Sequence, residues 1–294
     1  MLRNFVTLFV LLMLAAPAQA AVKVVATLPW IGNLAREVGR DKVTVTTLVK
    51  PSQDPHTVEA KPSMIIAGRK ADIFMYNGLD LEIGYLPLIL ESAKNPAIMP
   101  GTSGNFDCSK FVRVIEKHTH ADRSMGDLHH LGNPHYHYSA SNIVNVAEGI
   151  SGALAAKDPA NAAFYRNNYK NFASRVAAHE KKWRSANLAG KRYIAHHKMF
   201  EYMALDYDFF IVAYIEPKPG IPPSAAYLES LIELMNIIKP DGILVTGLSG
   251  QKEAEFLSQK TGVKVKTLPA DTGAMPGTDD WISFMDTVIN KLKQ

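Results

Sequence analysis

Cysteine is almost absent from the 294 residues: Cys108 stands alone, so no intrachain disulfide can form and no cluster of thiolates can hold a metal. Long apolar runs are missing too, since no segment approaches the roughly 20 apolar residues that a membrane-spanning helix needs. The charge balance is slight, a formal +4 at pH 7, too weak to argue for nucleic acid or a membrane surface as partner. Neither His-Glu-x-x-His nor Gly-x-Ser-x-Gly occurs, which removes the usual anchors of a hydrolase. No residue-level repeat relates the two halves of the chain.

What is present begins with an export signal over residues 1–20. Arg3 precedes an apolar run from Phe5 to Ala16, and Ala18-Gln19-Ala20 forms a small-residue cleavage site. The mature chain is expected to start near Ala21 and to be free in a periplasm, because no cysteine at the cleavage site offers a lipid anchor. The remainder is long for one domain and comfortable for two, each able to bury its own core.

Short β-branched runs alternate with helical patterns, which predicts an α/β fold with mainly parallel sheets. In an N-terminal lobe over residues 21–142, strands are expected at Val22 to Thr27, Val43 to Val49, Ala71 to Tyr76 and Phe111 to Ile115. Helices are expected near Ile31 to Val38 and Leu81 to Ala93. A helical segment over 143–190 follows. Its main helix, 159–189, has Asp158 as N-cap and Pro159 in its first turn, and stops before Gly190. Ala162, Tyr165, Tyr169, Phe172, Val176 and Trp183 recur at spacings of three and four, an apolar stripe on a rigid connector about 45 Å long. A C-terminal lobe over 191–294 repeats the alternation. Its strands are Arg192 to Ala195, Phe210 to Tyr214, Gly242 to Thr246 and Val263 to Leu268. Its helices are Met199 to Leu205, Ala225 to Ile238, Lys252 to Lys260 and Trp281 to Leu292.

Six of the ten histidines, His118, His120, His129, His130, His135 and His137, crowd into one segment. Imidazole binds metal without first losing a proton over much of the physiological range. Four positions carry more information, because each lies just beyond a predicted strand or at the head of a helix. These are His56 in a proline-stiffened loop, His135 in Gly132-Asn133-Pro134-His135-Tyr136, His197 after Arg192 to Ala195, and Asp271 after Val263 to Leu268. Ligands of open parallel sheets sit beyond the carboxyl ends of strands, so these residues can converge between the lobes. Three imidazoles and one carboxylate suit tetrahedral zinc and leave no position open for catalysis.

At these residues the chain resembles the metal-specific, zinc and manganese, solute-binding proteins of bacterial ABC importers. The resemblance spans the mature chain. It rests on Asp54-Pro55-His56 with Glu59, Gly126-Asp127-Leu128-His129, Gly132-Asn133-Pro134-His135-Tyr136, His197-Lys198-Met199-Phe200 with Tyr202, and Leu268-Pro269-Ala270-Asp271. It implies two α/β lobes joined by one long helix, with a divalent cation held by His56, His135, His197 and Asp271.

Manganese-preferring members of that group often carry glutamate at the third position. His197 therefore points to Zn2+ ahead of Mn2+ or Fe2+. The implied partner is the membrane permease of an ABC importer, with a periplasmic metallochaperone role as the alternative, and the chain is expected to be a monomer. Two departures from the family pattern stand out. His137 replaces a common Trp and leaves open which of His135 and His137 is the ligand. Thr246-Gly247 replaces a strand end that contains Glu. The stretch from His118 to His130 is expected to form a weak accessory site.

Overall fold

The computed structural model describes residues 20–117 and 129–294. The expected export signal, apart from Ala20, and the part of the expected accessory stretch that holds His118 and His120 lie outside the described residues.

Each lobe is built on a four-stranded, wholly parallel sheet. The first sheet has the order β2-β1-β3-β4, with β1 at Val22–Ala26, β2 at Val43–Thr47, β3 at Ile73–Tyr76 and β4 at Asn105–Asp107. The second has the order β6-β5-β7-β8, with β5 at Arg192–Ala195, β6 at Phe210–Tyr214, β7 at Gly242–Thr246 and β8 at Val265–Leu268. Central strands β3 and β7 are almost continuously buried because helices cover both faces, as parallel sheets require. The order of each sheet reverses beside its first strand, which opens a crevice at the carboxyl ends. Those ends lead into Thr27, the loop of His56, Asn77, the pair His196 and His197, Glu216, and the loop of Asp271.

Helix α1, Pro29–Gly39, starts with proline in its first turn, where the missing N–H costs nothing. Helix α2, Pro62–Lys70, starts the same way. Helix α3 runs over Leu86–Ala93 rather than from Leu81. Residues Gly78, Leu79 and Asp80 all have positive φ and turn the chain before a helix can propagate, and Pro87 then opens the first helical turn. Leu81 and Tyr85 are still buried, so the apolar pattern reported packing and not helix.

The strand expected at Phe111 to Ile115 is absent, and Asn105–Asp107 takes the edge position instead. The Asp107 side chain accepts from Ser109 N at 3.0 Å and caps a 3-10 turn over Cys108–Phe111, which ends the ladder. Val112, Val114 and Ile115 pack against the core from irregular chain. Their β-branched character serves burial and not pairing.

The connector is a pair of helices. Helix α4, Ala140–Lys157, packs along α5, Ala162–Arg184, across a single 3-10 turn at Pro159–Asn161. Proline at 159 cannot supply the N–H that a continuous helix needs, and Asp158 makes no capping bond to the backbone. Its carboxylate instead accepts from Tyr165 Oη and Asn161 Nδ2, each at 2.7 Å. The 23 residues of α5 give about 35 Å, shorter than the reading from 159 to 189.

α5 touches both lobes. Asn168 Nδ2 donates to the carbonyl of Val38 at 2.9 Å at the end of α1, and Trp183 Nε1 donates to Asp286 at 2.6 Å on the last helix. Helix α6 covers Glu201–Tyr207, α7 Ala225–Ile238 and α8 Gln251–Thr261. The last helix, α9, covers Trp281–Lys293 and starts on a reciprocal capping box between Asp280 and Ser283.

The main hydrophobic core runs without a break from β1 and α1 through α4 and α5 to Trp281, Phe284 and Val288 on α9. A smaller core, with Ile194, Leu231, Met235 and Leu257, lies under α7 and α8. No helix among the described residues is long and apolar enough to cross a membrane.

Candidate metal centre

Three of the four expected residues meet between the lobes. His56, His135 and His197 each offer one ligand atom, and all three atoms lie within 4.8 Å of one another. Ring centroids are separated by 5.3 Å for His56 and His135, 5.3 Å for His56 and His197, and 5.2 Å for His135 and His197. The Nε2 atoms of His135 and His197 are 3.2 Å apart. Two imidazole nitrogens bound tetrahedrally to one zinc would be about 3.3 Å apart, given Zn–N near 2.0–2.1 Å.

The inward nitrogens are set by what holds the outward ones. His56 Nδ1 pairs with Asp54 Oδ1 at 2.7 Å, and Asp54 also accepts the His56 backbone N–H at 3.0 Å. His197 Nδ1 pairs with Glu216 Oε2 at 2.8 Å. A carboxylate on Nδ1 fixes the proton there and leaves Nε2 as a lone pair, a common arrangement behind metal-bound histidine. His56 Nε2 is buried with no hydrogen-bond partner, an orphan that a cation would satisfy. Burial acts to raise both carboxyls, but the bond and charge of His56 outweigh it for Asp54, and those of His197 for Glu216, so both stay below the usual carboxylate range.

His135 is 2% exposed and is held neutral, well below the ordinary imidazole value, first by burial and then by the neighbouring His197 and His56. Its backbone N–H donates to Asn133 Oδ1 at 2.9 Å, and Asn77 Nδ2 donates to the carbonyl of Pro134 at 3.1 Å. Asn133 Nδ2 in turn reaches Glu116 at 3.0 Å and Glu201 at 3.2 Å, which ties the loop to both lobes.

Asp271 is not in the mutually close group. It lines a neighbouring cavity with His135 and His137, and its Oδ1 accepts the Thr272 N–H at 2.6 Å. Burial pushes its carboxyl up to about 8, against hydrogen bonds from Thr272 and the backbone of Trp30 that favour the ionised form. Its loop is a compact turn, with Gly273 N donating to Thr278 O at 2.6 Å and Thr278 fully buried.

His137 is turned to other work. Its Nε2 lies 3.0 Å from the carbonyl of Ala270, its ring stacks on Trp30, and Trp281 Nε1 donates to its backbone carbonyl at 2.8 Å. His135, and not His137, faces His56 and His197. His130 is exposed and pairs with Asp80 at 3.1 Å. His129 is different: its ring lies 5.2 Å from that of His56, and burial, followed by His56 and His197, lowers it to about 3.

Sequence reasoning missed Asp54 and Glu216 as the groups that orient His56 and His197. Glu216 lies just beyond β6, the same placement that singled out the ligands, and that placement was the available signal.

The sequence matches the family described as zinc-uptake complex component A, periplasmic, over residues 24–294. It is similar to the iron ABC transporter substrate-binding lipoprotein MtsA of Streptococcus pyogenes serotype M1, 26% identical over 282 residues that cover 92% of this chain and 88% of that protein. It is also similar to the manganese ABC transporter substrate-binding lipoprotein PsaA of Streptococcus anginosus, 25% identical over 285 residues that cover 92% of this chain and 88% of that one. A crystal structure of ZnuA superposes with a TM-score of 0.77 at 24% identity, covering 93% of this chain and 98% of that chain, and shares the two-lobe fold.

Proposed function

The chain belongs to the family of the periplasmic zinc-uptake complex component A, and from that membership we propose that it captures zinc in the periplasm and delivers it to the membrane permease of an ABC importer. Members of this family are solute-binding components of metal ABC transporters. The observation that carries the proposal is the convergence of three imidazole groups from both lobes, two of them oriented by carboxylates, with their ligand atoms within 4.8 Å of one another.

His56, His135 and His197 are the three nitrogen ligands in this reading, and Asp271 is the fourth. The ion is cargo, and the chain supplies a closed ligand set. A dication close to Asp271 would favour the carboxylate strongly and would displace the proton that burial retains, acting in the same sense as the hydrogen bonds from Thr272. All-imidazole chemistry at the third position, with His197 where a carboxylate would favour manganese, supports zinc over manganese or iron. Two relatives are named for iron and for manganese, which makes those ions the competing cargo.

Competition decides between them. Metal-free full-length chain, titrated with zinc against manganese and against ferrous iron, is expected to retain zinc when the competitor is in large excess. Displacement of zinc by equimolar manganese or iron would reassign the cargo.

A further inference from the structure

Asn133 is buried, and every polar group it carries is engaged. Its backbone N–H donates to the carbonyl of Ile115 at 3.0 Å, and its carbonyl accepts from Tyr202 Oη at 2.8 Å. The carboxamide divides its work. Oδ1 accepts the His135 N–H at 2.9 Å, a local turn over two residues. Nδ2 points the other way, to Glu116 Oε2 at 3.0 Å, Glu201 Oε2 at 3.2 Å and the carbonyl of Lys198 at 3.3 Å. Lys198 follows His197 directly in the chain, so one side chain holds the backbone beside His135 and the backbone beside His197.

The acceptors are themselves fixed. Lys198 Nζ pairs with Glu116 Oε1 at 2.5 Å, and Tyr214 Oη on β6 donates to Glu201 Oε1 at 2.6 Å. An amide meets both demands, because an acceptor must face the His135 N–H while a donor faces two carboxylates and a carbonyl. Aspartate would set oxygen against oxygen. Serine can keep the short turn onto the N–H two residues on, but it cannot reach the far acceptors. His135 and His197 are 62 residues apart in the chain, yet their Nε2 atoms stand 3.2 Å apart. We propose that Asn133 is a positioning residue for the cation: its carboxamide sets the His135 backbone against the Lys198 backbone and so holds the two imidazoles at ligand spacing before the metal arrives. The inference rests on the metal-binding reading above. Ligands already at that spacing lose little freedom on binding, so the contribution of Asn133 appears as affinity.

Metal-free full-length chain, titrated with zinc against a chelator of known affinity and separately with cobalt(II) chloride, tests the proposal. Asn133→Ser keeps the turn and loses the reach, while Glu116 retains Lys198 and Glu201 retains Tyr214. It is expected to weaken zinc by about 10-fold, the lower end of the cost of losing an outer partner of a metal ligand. The visible cobalt bands at saturation, which report the angles between ligands, are expected to change with it. Asn133→Asp is expected to weaken zinc at least as much. Adding Glu201→Gln, which turns a facing carboxylate into a donor, is expected to recover most of that loss. Wild-type zinc affinity in Asn133→Ser overturns the proposal. So does a weakened site with unchanged cobalt bands and a lowered metal-free thermal transition, the mark of a merely structural tie. A loss in Asn133→Asp that Glu201→Gln fails to repair overturns it as well. A wild-type chain that binds neither zinc nor cobalt brings down the metal-binding reading instead.

Discussion

The ring of His197 is gripped from behind by Glu216, Nδ1 to Oε2 at 2.8 Å. The two residues come from successive strand ends, β5 and β6, so the geometry of the parallel sheet itself aims the Nε2 lone pair into the crevice. Asp54 does the same for His56 from two residues away in one stiff loop.

Removing that grip should weaken metal binding without abolishing it. Glu216→Gln is expected to lower zinc affinity about 10- to 100-fold, the usual cost of losing a partner behind a metal-bound histidine, and Asp54→Asn should act similarly. Competition against a chelator of known affinity measures this. Affinities equal to wild type in both variants would mean that the carboxylates do not orient the ligands.

Asp271 makes the stability of the metal-free chain depend on pH. Its folded-state value is raised from 3.8 to about 8, so its contribution is fully present below the unfolded value and is lost as pH rises through about 8. Asp271→Asn cannot ionise and escapes that loss. The variant should gain stability relative to wild type as pH is raised from about 5 to about 8. Urea unfolding of both metal-free chains at several pH values gives the difference, and a difference independent of pH would contradict the burial argument.

Because one core runs through both lobes and the α4–α5 connector, wide hinge opening would tear apart buried apolar contacts. Metal binding should therefore act through small shifts and loop rearrangement. Small-angle X-ray scattering is expected to give the same radius of gyration with and without zinc, and a clear contraction on binding would show that the lobes separate.

Trp281 is the hub of that continuity. It is fully buried, meets Trp183 and Phe172 edge-on, and donates Nε1 to the carbonyl of His137 at 2.8 Å. Trp281→Ala should cost about 3–5 kcal/mol of stability, the range for emptying a large aromatic site. Denaturant unfolding measures it, and a cost under about 1 kcal/mol would mean that the cavity collapses or that the contact carries little.

The parallel strands were legible because buried β-branched runs announce themselves, and the helix at Ala225–Ile238 has the expected bounds, with Ser224 at its N-cap accepting the Tyr227 N–H at 3.2 Å. The segment Phe111 to Ile115 misled because the same β-branched chemistry serves burial in irregular chain, and only Asp107, through its turn with Ser109, marks where the strand stops. For the site, the grouping of His56, His135 and His197 was legible from their places just beyond strands or at the head of a helix. His129 was hidden among its histidine neighbours, since nothing local distinguishes it from exposed His130. The choice between His135 and His137 needed the fold, because only three-dimensional packing shows His137 engaged by Trp30 and Ala270.

The central claim is a single closed site of three imidazoles and one carboxylate. X-ray absorption at the zinc edge, on full-length chain loaded with one equivalent of zinc, tests it most directly. The account predicts four nitrogen or oxygen neighbours at about 2.0–2.1 Å, with the outer scattering of three imidazoles. The His135→Ala and His197→Ala chains should lose tight binding, and the loaded Asp271→Ala chain should keep three imidazoles. A wild-type spectrum with fewer than three imidazoles, or a chain that binds zinc unchanged without His135 and His197, would contradict it.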